Sequence, residues 1–279
     1  MNRIAVFPSF QKSLKCLNCY NMNRIYQLFQ TKKQNILSVY FCAGAPVPGN
    51  VTSVVQALEQ KGIDMVEIGI PFSDPMADGP VIQQVATQAL RNGMTLSGLF
   101  AELKDIRRQV SIPLILMGYL NPIMQYGFEA FCKQCNACGI DGVIIPDLPF
   151  QEYRETFESL AQQYGLKVIM LITPETDEVR IREIDEHTDG FIYMVSSAAV
   201  TGAQRDFDAQ RLAYFRRIAA MNLKNPRMIG FGISNRQTFE SASAYAAGCI
   251  VGSKFVSLLA EEQGNALRAA DRLLEALQK

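Results

Sequence analysis

Two carboxylates, eleven residues apart, are the residues of this sequence best placed for acid–base chemistry. Glu67 lies inside the apolar run 65–70, and Asp78 follows in a loop rich in proline and glycine. Charged side chains are almost never fully buried without a partner, so packing does not explain a glutamate in a buried strand. Strand side chains alternate between faces, which puts Glu67 on the face of Met65 and Gly69. We expect the two carboxylates to act as proton donor and proton acceptor.

The sequence contains a single histidine, which excludes enzyme classes that depend on a catalytic histidine. The only histidine, His187, ends a predicted polar helix between Glu186 and Asp189, where a non-catalytic surface position explains it. A Ser-His-Asp or Cys-His enzyme, or a zinc site built mainly from histidine, therefore has no candidate residues. Acid–base work must fall to carboxylates, tyrosine or lysine.

The seven cysteines are an odd number, which indicates reduced thiols rather than a disulfide framework. Cys132, Cys135 and Cys138 are spaced by three in a predicted helix, and Cys16 and Cys19 form a second pair. A metal site would need further ligands to complete a tetrahedron. We favour the alternative that the triplet consists of small buried side chains facing a sheet, and we expect no metal.

The length and charge bound the remaining possibilities. The chain has 279 residues, and its 27 basic side chains balance its 27 acidic ones, which argues against a nucleic-acid or membrane partner held by charge. Residues 1–21 lack an apolar core of about 7–15 residues, so they make a poor secretion signal, and a transit peptide stays open. Because residues 22–25 repeat residues 1–4, Met22 is a candidate start. We expect 1–21 to be a loose appended segment and 22–279 one catalytic domain.

Eight short apolar runs, each followed by a helical pattern, organise the chain. Continuous apolar runs predict strands buried on both faces, and eight repeats over about 250 residues predict a single (β/α)8 barrel. An open doubly wound sheet is the alternative, although no Gly-x-Gly-x-x-Gly motif supports a dinucleotide site. The predicted strands are 36–43, 64–70, 112–119, 141–146, 167–172, 190–195, 227–231 and 248–251.

The candidate chemistry converges on one end of this barrel. In such barrels the active site lies at the carboxyl ends of the strands. The candidate site residues all fall at or just past predicted strand ends. They are Glu67, Asp78, Tyr119, Asp147, Tyr193, Gly232 and Ser253.

Two glycine-containing turns follow the last two strands, at 230–234 and 251–253. In barrels these two loops often bind phosphate, since backbone N–H groups and a helix N-terminus favour an anion. The alternative is that Ser234 and Ser253 simply cap helices, with Ser234 and Gln237 forming a capping box. The occurrence of both turns at these two positions favours a phosphate-binding cup.

The segment 196–203 opens a connection of about a dozen residues after the sixth strand, against a usual ~2–6. Long loops at a barrel mouth often act as lids, and a solvated surface loop is the alternative.

Together, these motifs resemble the tryptophan synthase α subunit. The resemblance is carried in chain order by 67–80, 116–122, 146–149, 196–203, 230–234 and 252–253, and it covers about residues 22–279. It departs from the family at Ala45, where an aspartate is common, and at Ser197 and Ala199, where the family often has arginine and glycine. The last two positions bear on lid closure and its trigger.

The resemblance implies a lyase of tryptophan biosynthesis that cleaves indole-3-glycerol phosphate to indole and glyceraldehyde 3-phosphate. It makes Glu67 the acid that protonates the indole carbon bearing the glycerol chain. It makes Asp78 the acceptor of a hydrogen bond from the indole N–H. Tyr193 would line the site near the glutamate. The remaining implied contacts are Tyr119, Phe231 and Thr201 with substrate, and Gly202, Gly232, Gly252 and Ser253 with phosphate.

The resemblance also implies a partner. This chain would need no cofactor of its own, and a β subunit carrying pyridoxal phosphate would join it in a cytoplasmic α2β2 heterotetramer. Asp74, Asn121 and Pro149 would lie on the surface that meets the β subunit. Three alternatives stay open: a non-catalytic barrel that only activates the β subunit, a lyase that acts alone, and a different phosphosugar barrel enzyme.

Overall fold

A computed structural model describes residues 23–196 and 207–278 of the chain, and its parallel strands form one sheet. The order is β5-β4-β3-β2-β1-β9-β8-β7-β6, so sequence neighbours pair everywhere except between β5 and β6, and β1 pairs with β9. This arrangement confirms the predicted barrel and excludes the open doubly wound sheet. The strands are β1 (Ile36–Cys42), β2 (Met65–Gly69), β3 (Leu114–Met117), β4 (Gly142–Ile144), β5 (Lys167–Ile169), β6 (Leu171–Ile172), β7 (Ile192–Val195), β8 (Arg227–Gly230) and β9 (Gly248–Val251).

The predicted fifth strand is divided at Met170 into β5 and β6. β5 pairs with β4, and β6 pairs with β7. The Met170 carbonyl accepts a hydrogen bond of 3.0 Å from the Tyr193 N–H, which carries the pairing across the break. The two segments therefore occupy one of the eight expected strand positions.

Thirteen α-helices surround the sheet in the described ranges. They are α1 (Arg24–Thr31), α2 (Val51–Gln60), α3 (Pro80–Arg91), α4 (Leu96–Leu103), α5 (Leu120–Tyr126), α6 (Phe128–Cys138), α7 (Phe150–Glu152), α8 (Glu158–Gln163), α9 (Glu178–His187), α10 (Ala209–Ala220), α11 (Arg236–Ser243), α12 (Ser253–Glu261) and α13 (Ala266–Gln278).

Helix ends differ from the sequence prediction where a distant residue decides them. The sequence pattern over 96–110 predicts one helix, but helix α4 ends at Leu103 and a separate 3-10 turn, Ile106–Arg108, follows it. Helix α5 was not predicted. Its first N–H, on Leu120, donates to the Asp147 carboxylate at 2.8 Å, so a side chain from the loop after β4 holds its start. Such a contact between separate loops has no signal in the local sequence.

The predicted capping box of Ser234 with Gln237 is wrong. Asn235 caps helix α11, and Thr238 completes the box by accepting the Asn235 backbone N–H. Asn235 accepts from the Thr238 N–H at 3.0 Å. The register of the cap is one residue further along than predicted, and this leaves Ser234 outside the helix.

The core has two layers because both faces of the strands are buried. Every residue of β1 and β2 is buried. One layer lies between the strands and the helices. It includes the free thiols of Cys132, Cys135 and Cys138, which confirms the prediction that these are small buried side chains. The other layer fills the barrel interior, and its members include Ile36, Met65, Ile115, Ile144, Met228 and Ile250.

The described residues also bear on metal binding and on membrane crossing. No cluster of residues able to hold a metal ion occurs within 23–196 and 207–278. Over the same residues, no helix has the length and apolar character needed to cross a membrane.

The amino-terminal end of the barrel is closed by helix α1 and one buried aspartate. Ile25 and Phe29 pack into the interior cluster. Asp141, only 3% exposed, forms ion pairs with Arg24 at 3.2 Å and with Arg107. Its carboxylate also accepts the Leu114 N–H at 3.0 Å. A charge this deeply buried is stable only while these partners compensate it.

We expect Asp141→Ala to lower the free energy of unfolding by about 3 kcal/mol, because two arginines lose their buried partner. Urea denaturation followed by circular dichroism measures the change. The matched control is Asp105→Ala, which removes an exposed pair with Arg108 and should cost at most about 0.5 kcal/mol. Equal losses in the two variants would contradict the role given to Asp141.

Candidate active site

Glu67 lies in the middle of β2 and points into the barrel interior, fully buried. Its Oε1 accepts a hydrogen bond of 3.0 Å from the Ser38 hydroxyl on β1. Its Oε2 has no hydrogen-bond partner among the described residues. Burial raises the pKa of Glu67 to about 8, although the Ser38 hydrogen bond opposes the rise. Near neutral pH this group therefore holds a proton, as expected for an acid kept away from water.

Two tyrosines stand beside Glu67 inside the barrel. Tyr40 is paired with Glu67 across β1 and β2, and Tyr193 projects from β7. Their rings fit because the neighbouring inward positions are glycines. A Cβ on Gly69 would lie 2.2 Å from the Tyr40 hydroxyl, and one on Gly230 would lie 2.0 Å from that of Tyr193. Burial raises the pKa of both tyrosines well above the ordinary value, so both stay neutral.

Asp78 is half-buried in the loop that leads from β2 to α3. The Tyr119 hydroxyl donates to its Oδ2 at 3.0 Å and accepts the Ala77 N–H at 2.9 Å, so one tyrosine fixes the loop and the carboxylate together. Burial raises the pKa of Asp78, and the Tyr119 hydrogen bond opposes that rise. The Tyr119 hydrogen bond therefore favours the ionised form of Asp78 against the effect of burial.

The turn after β8 is strained. Phe231 has a φ of +68° and Gly232 a φ of +80°, so a bulky residue occupies the left-handed region directly before a glycine. Such a conformation persists only where the surroundings impose it. The buried Ser196 hydroxyl donates to the Phe231 carbonyl at 2.7 Å and holds the turn from β7. This turn leaves the Phe231 ring and Gly232 on the cavity wall.

The turn after β9 leads directly into helix α12. Gly252 is its N-cap and offers no side chain, and Ser253 is the first helical residue. The alternative in which Ser253 caps this helix is therefore wrong, as is the one in which Ser234 caps α11. The first N–H groups of an uncapped helix lack intrahelical acceptors and carry the positive end of the helix dipole. They can bind a phosphate group.

These groups surround one cavity of about 360 Å³. Of the predicted site residues, it is lined by Glu67, Asp78, Tyr193, Phe231, Gly232, Gly252 and Ser253. Tyr119 is not among the lining residues, but its hydroxyl bonds to Asp78, which is, and its contact with substrate stays a prediction. Thr201 and Gly202, like Ser197 and Ala199 of the proposed lid, lie outside the described residues, so their roles stay predictions.

Sequence reasoning missed several residues of this cavity region, among them Ser38, Tyr40 and Lys254. Tyr40 and Lys254 line the cavity, and Ser38 bonds to Glu67 beneath it. A signal existed for the first two, since Ser38 and Tyr40 alternate on one face of an otherwise apolar strand. Lys254 gave none, because lysine in a first helical turn is ordinary on a surface.

The predicted partner-contact residues lie on the same end of the barrel as the cavity. Asp74, Asn121 and Pro149 are all exposed, and they follow three adjacent strands, β2, β3 and β4. Met76 is 79% exposed and Met124 46% exposed on the first two of these segments. Exposed large apolar side chains are often found at protein interaction surfaces.

Comparison with known proteins gives a consistent result. The family described as tryptophan synthase alpha chain matches residues 26–279. The tryptophan synthase alpha chain of Phocaeicola vulgatus is 70% identical over 256 residues, which cover 92% of this chain and 99% of the relative. The tryptophan synthase alpha chain of Parabacteroides distasonis is 64% identical over 258 residues, which cover 92% of this chain and 100% of the relative.

Solved structures agree. A crystal structure of tryptophan synthase alpha chain from Legionella pneumophila has a TM-score of 0.81 at 33% identity, covering 92% of this chain and 97% of that chain. A chain in a tryptophan synthase complex from Pyrococcus furiosus has a TM-score of 0.78 at 33% identity, covering 88% of this chain and 98% of that one.

The buried carboxyl makes stability depend on pH. The ordinary pKa of this group is 4.5, and its folded-state pKa is about 8. The folded protein therefore keeps a proton that the unfolded chain releases, and stability falls as pH rises from about 4.5 to about 8. We expect Glu67→Gln, which stays neutral, to gain roughly 4–5 kcal/mol relative to wild type over this range. Urea denaturation at pH 5 and pH 8.5 measures it; parallel changes in the two proteins would contradict burial as the cause.

Proposed function

This chain belongs to the tryptophan synthase alpha chain family, and we propose that its barrel cavity cleaves indole-3-glycerol phosphate by acid catalysis from Glu67. Family membership makes the chain a lyase of tryptophan biosynthesis. The observation that carries the assignment of residues is the fully buried Glu67 carboxyl, which lines the same cavity as Asp78 and two glycine turns and whose Oε2 has no partner among the described residues.

The chemistry requires a proton at one carbon of the indole ring. Protonation of the carbon that bears the glycerol chain breaks the ring's aromaticity, and cleavage of the carbon–carbon bond restores it. The electrons of that bond return to the ring, which leaves as indole. The neighbouring hydroxyl becomes the aldehyde of glyceraldehyde 3-phosphate, and the proton it releases balances the one that Glu67 supplies. A general acid works best when its pKa lies near the operating pH. A carboxyl with a pKa near 8 is still protonated at neutral pH and can therefore donate its proton there.

Asp78 is proposed to accept a hydrogen bond from the indole N–H. Positive charge develops on the ring nitrogen when the ring carbon is protonated, so an ionised carboxylate there stabilises the transition state more than the ground state. The Tyr119 hydroxyl supports this role because it donates to Oδ2 and favours the ionised form of Asp78. Environment thus divides two carboxylates into an acid and an electrostatic partner, as in other enzymes with carboxylate pairs.

The phosphate group of the substrate is proposed to bind in the cup formed by Gly232, Gly252 and Ser253, with Gly202 as a further contact. Ser253 begins the uncapped helix α12, whose N-terminal dipole favours an anion. Phe231 and Tyr193 would contact the indole ring, with their own ring centroids 6.3 Å apart in an edge-to-face arrangement. Thr201 is proposed as a substrate contact from the loop after β7.

Family membership also supports a β-subunit partner, since a related chain occurs in a tryptophan synthase complex. We propose that Asp74, Asn121 and Pro149 lie in this contact, that the complex is α2β2, and that pyridoxal phosphate belongs to the β subunit. The chain would then pass indole to its partner. A non-catalytic barrel that only activates the β subunit is the main competing function, and the buried acid in its own cavity favours the enzyme.

We expect Glu67→Gln to reduce indole release from indole-3-glycerol phosphate by at least about 10³-fold, because the amide cannot donate the proton. In the wild type, turnover should be highest while Glu67 is protonated and should fall as pH rises through about 8. The control is Glu155→Gln on an exposed helical surface, which should match wild type.

The assay is run with and without the β subunit, and circular dichroism verifies folding. Wild-type turnover in Glu67→Gln would refute the acid. Absence of indole release from the wild-type chain under both conditions would favour the non-catalytic barrel instead.

We expect Tyr119→Phe to lower kcat/KM for indole release roughly tenfold, because Asp78 loses the hydrogen bond that favours its ionised form. Asp78→Asn should lower it further, by roughly 10²-fold or more, since an amide cannot supply the negative charge. Steady-state kinetics at pH 7 measures both. In the double variant the two losses should not add, because both changes act on one carboxylate; additive losses would show that Tyr119 acts independently of Asp78.

A further inference from the structure

A serine hydroxyl inside the barrel is unexplained by packing. Ser38 lies in β1 between Leu37 and Val39, and it is fully buried. Its hydroxyl donates to Glu67 Oε1 at 3.0 Å, the only hydrogen bond that a described residue makes to that carboxyl. An apolar residue would fill this position without the cost of burying a hydroxyl. The hydroxyl therefore acts on Glu67.

The direction of this hydrogen bond determines where the acidic proton lies. A protonated carboxyl has one O–H oxygen and one carbonyl oxygen, and only the second is a good acceptor. The Ser38 hydroxyl has no other acceptor among the described residues, so its O–H is satisfied only by donating to Oε1. Oε1 is then the carbonyl oxygen, and the proton lies on Oε2. Oε2 is the oxygen without a partner among the described residues. It is thus the free oxygen of a carboxyl that lines the cavity.

We propose that Ser38 is a positioning residue for the acid: it keeps the proton on Oε2, facing the substrate, and stabilises the carboxylate that remains after proton transfer. The inference deepens the proposed function and rests on it. In the step, the Oε2–H bond breaks and a C–H bond forms at the ring carbon, while the electron pair of the O–H bond stays on Glu67. A hydrogen bond to a carboxylate is stronger than one to a neutral carboxyl, so the Ser38 contact strengthens as the proton leaves.

The other groups around Glu67 do not replace this contact. Tyr40 from β1 and Tyr193 from β7 stay neutral because burial raises their pKa. Asp78, from the loop after β2, carries like charge when ionised and bonds to Tyr119 instead. Lys254, in the first turn of α12, lines the cavity beside the glycine turn that we propose for phosphate. Ser38 is thus the donor that the described residues offer to Glu67.

The first test measures Glu67 directly, without substrate. Carbon-13 NMR of the labelled side-chain carboxyl follows its titration in the wild-type chain, in Ser38→Ala and in Ser38→Cys. Loss of a hydrogen bond that favours the charged form should raise the pKa of Glu67 by about one to two units in Ser38→Ala. Ser38→Cys keeps the size of the side chain but is a weaker donor, so its pKa should fall between the two. It also provides a measurement if the alanine variant does not fold.

The second test measures turnover. Ser38→Ala should lower kcat for indole release roughly tenfold or more, with KM for indole-3-glycerol phosphate within about twofold, because Ser38 lies beneath the carboxyl and not on the cavity wall. The high-pH limb of its pH profile should move upward with the pKa measured by NMR. The matched control is Ser243→Ala, which removes a serine hydroxyl 3.5 Å from the Cys249 thiol in the outer core layer, and it should match wild type in both tests.

An unchanged pKa of Glu67 in the Ser38 variants would overturn the assignment whatever the rate. Wild-type turnover in Ser38→Ala would overturn it as well. Failure of the proposed function is distinguishable, because it would appear as a wild-type chain that releases no indole while the NMR titrations still report on the Ser38 contact.

Discussion

The site depends on burying one ionisable side chain, Glu67, inside the barrel, where water does not stabilise its charged form. Glu67 occupies a mostly apolar barrel interior, and among the described residues it has a single hydrogen bond, to one of its two oxygens. Desolvation therefore favours the protonated form, and the same burial that lowers stability at high pH supplies a proton donor near neutrality. The burial that makes this position unfavourable for folding at high pH is also what the proposed acid catalysis requires.

The parallel barrel accommodates a buried glutamate because side chains alternate along each strand. One face packs against the helices, and the other faces the interior. Outward-facing residues such as Val66 and Ile68 pack against helices, while inward-facing positions are free to carry Ser38, Tyr40 and Glu67. Space for two tyrosine rings comes from glycines at the neighbouring inward positions. At the amino-terminal end, α1 and the Asp141 ion pairs close the interior. The cavity lies towards the opposite end, where residues of the loops after β2 and β8 line it.

Those loops are held by contacts between segments far apart in sequence. Tyr119 joins the loop after β2 to the loop after β3, Asp147 starts helix α5 from the loop after β4, and Ser196 supports the strained Phe231–Gly232 turn from β7. Each contact uses a polar side chain to satisfy a backbone group that no regular element satisfies. The mouth of the barrel is thus one connected set of loops, which places acid, carboxylate and glycine turns around one cavity.

Sequence patterns predicted the eightfold repeat, the burial of both strand faces and the two glycine turns, and they marked Glu67 and Asp78 as candidate site residues, because periodicity, strand length and an unexplained charge are local features. The tertiary structure alone decided which distant groups meet. It showed that Ser38 bonds to Glu67, that Tyr119 acts on Asp78, that Asn235 rather than Ser234 caps α11, and that the fifth strand breaks at Met170. Hydrogen-bond partners and burial depend on three-dimensional distance, which residue types and spacing along a chain do not specify.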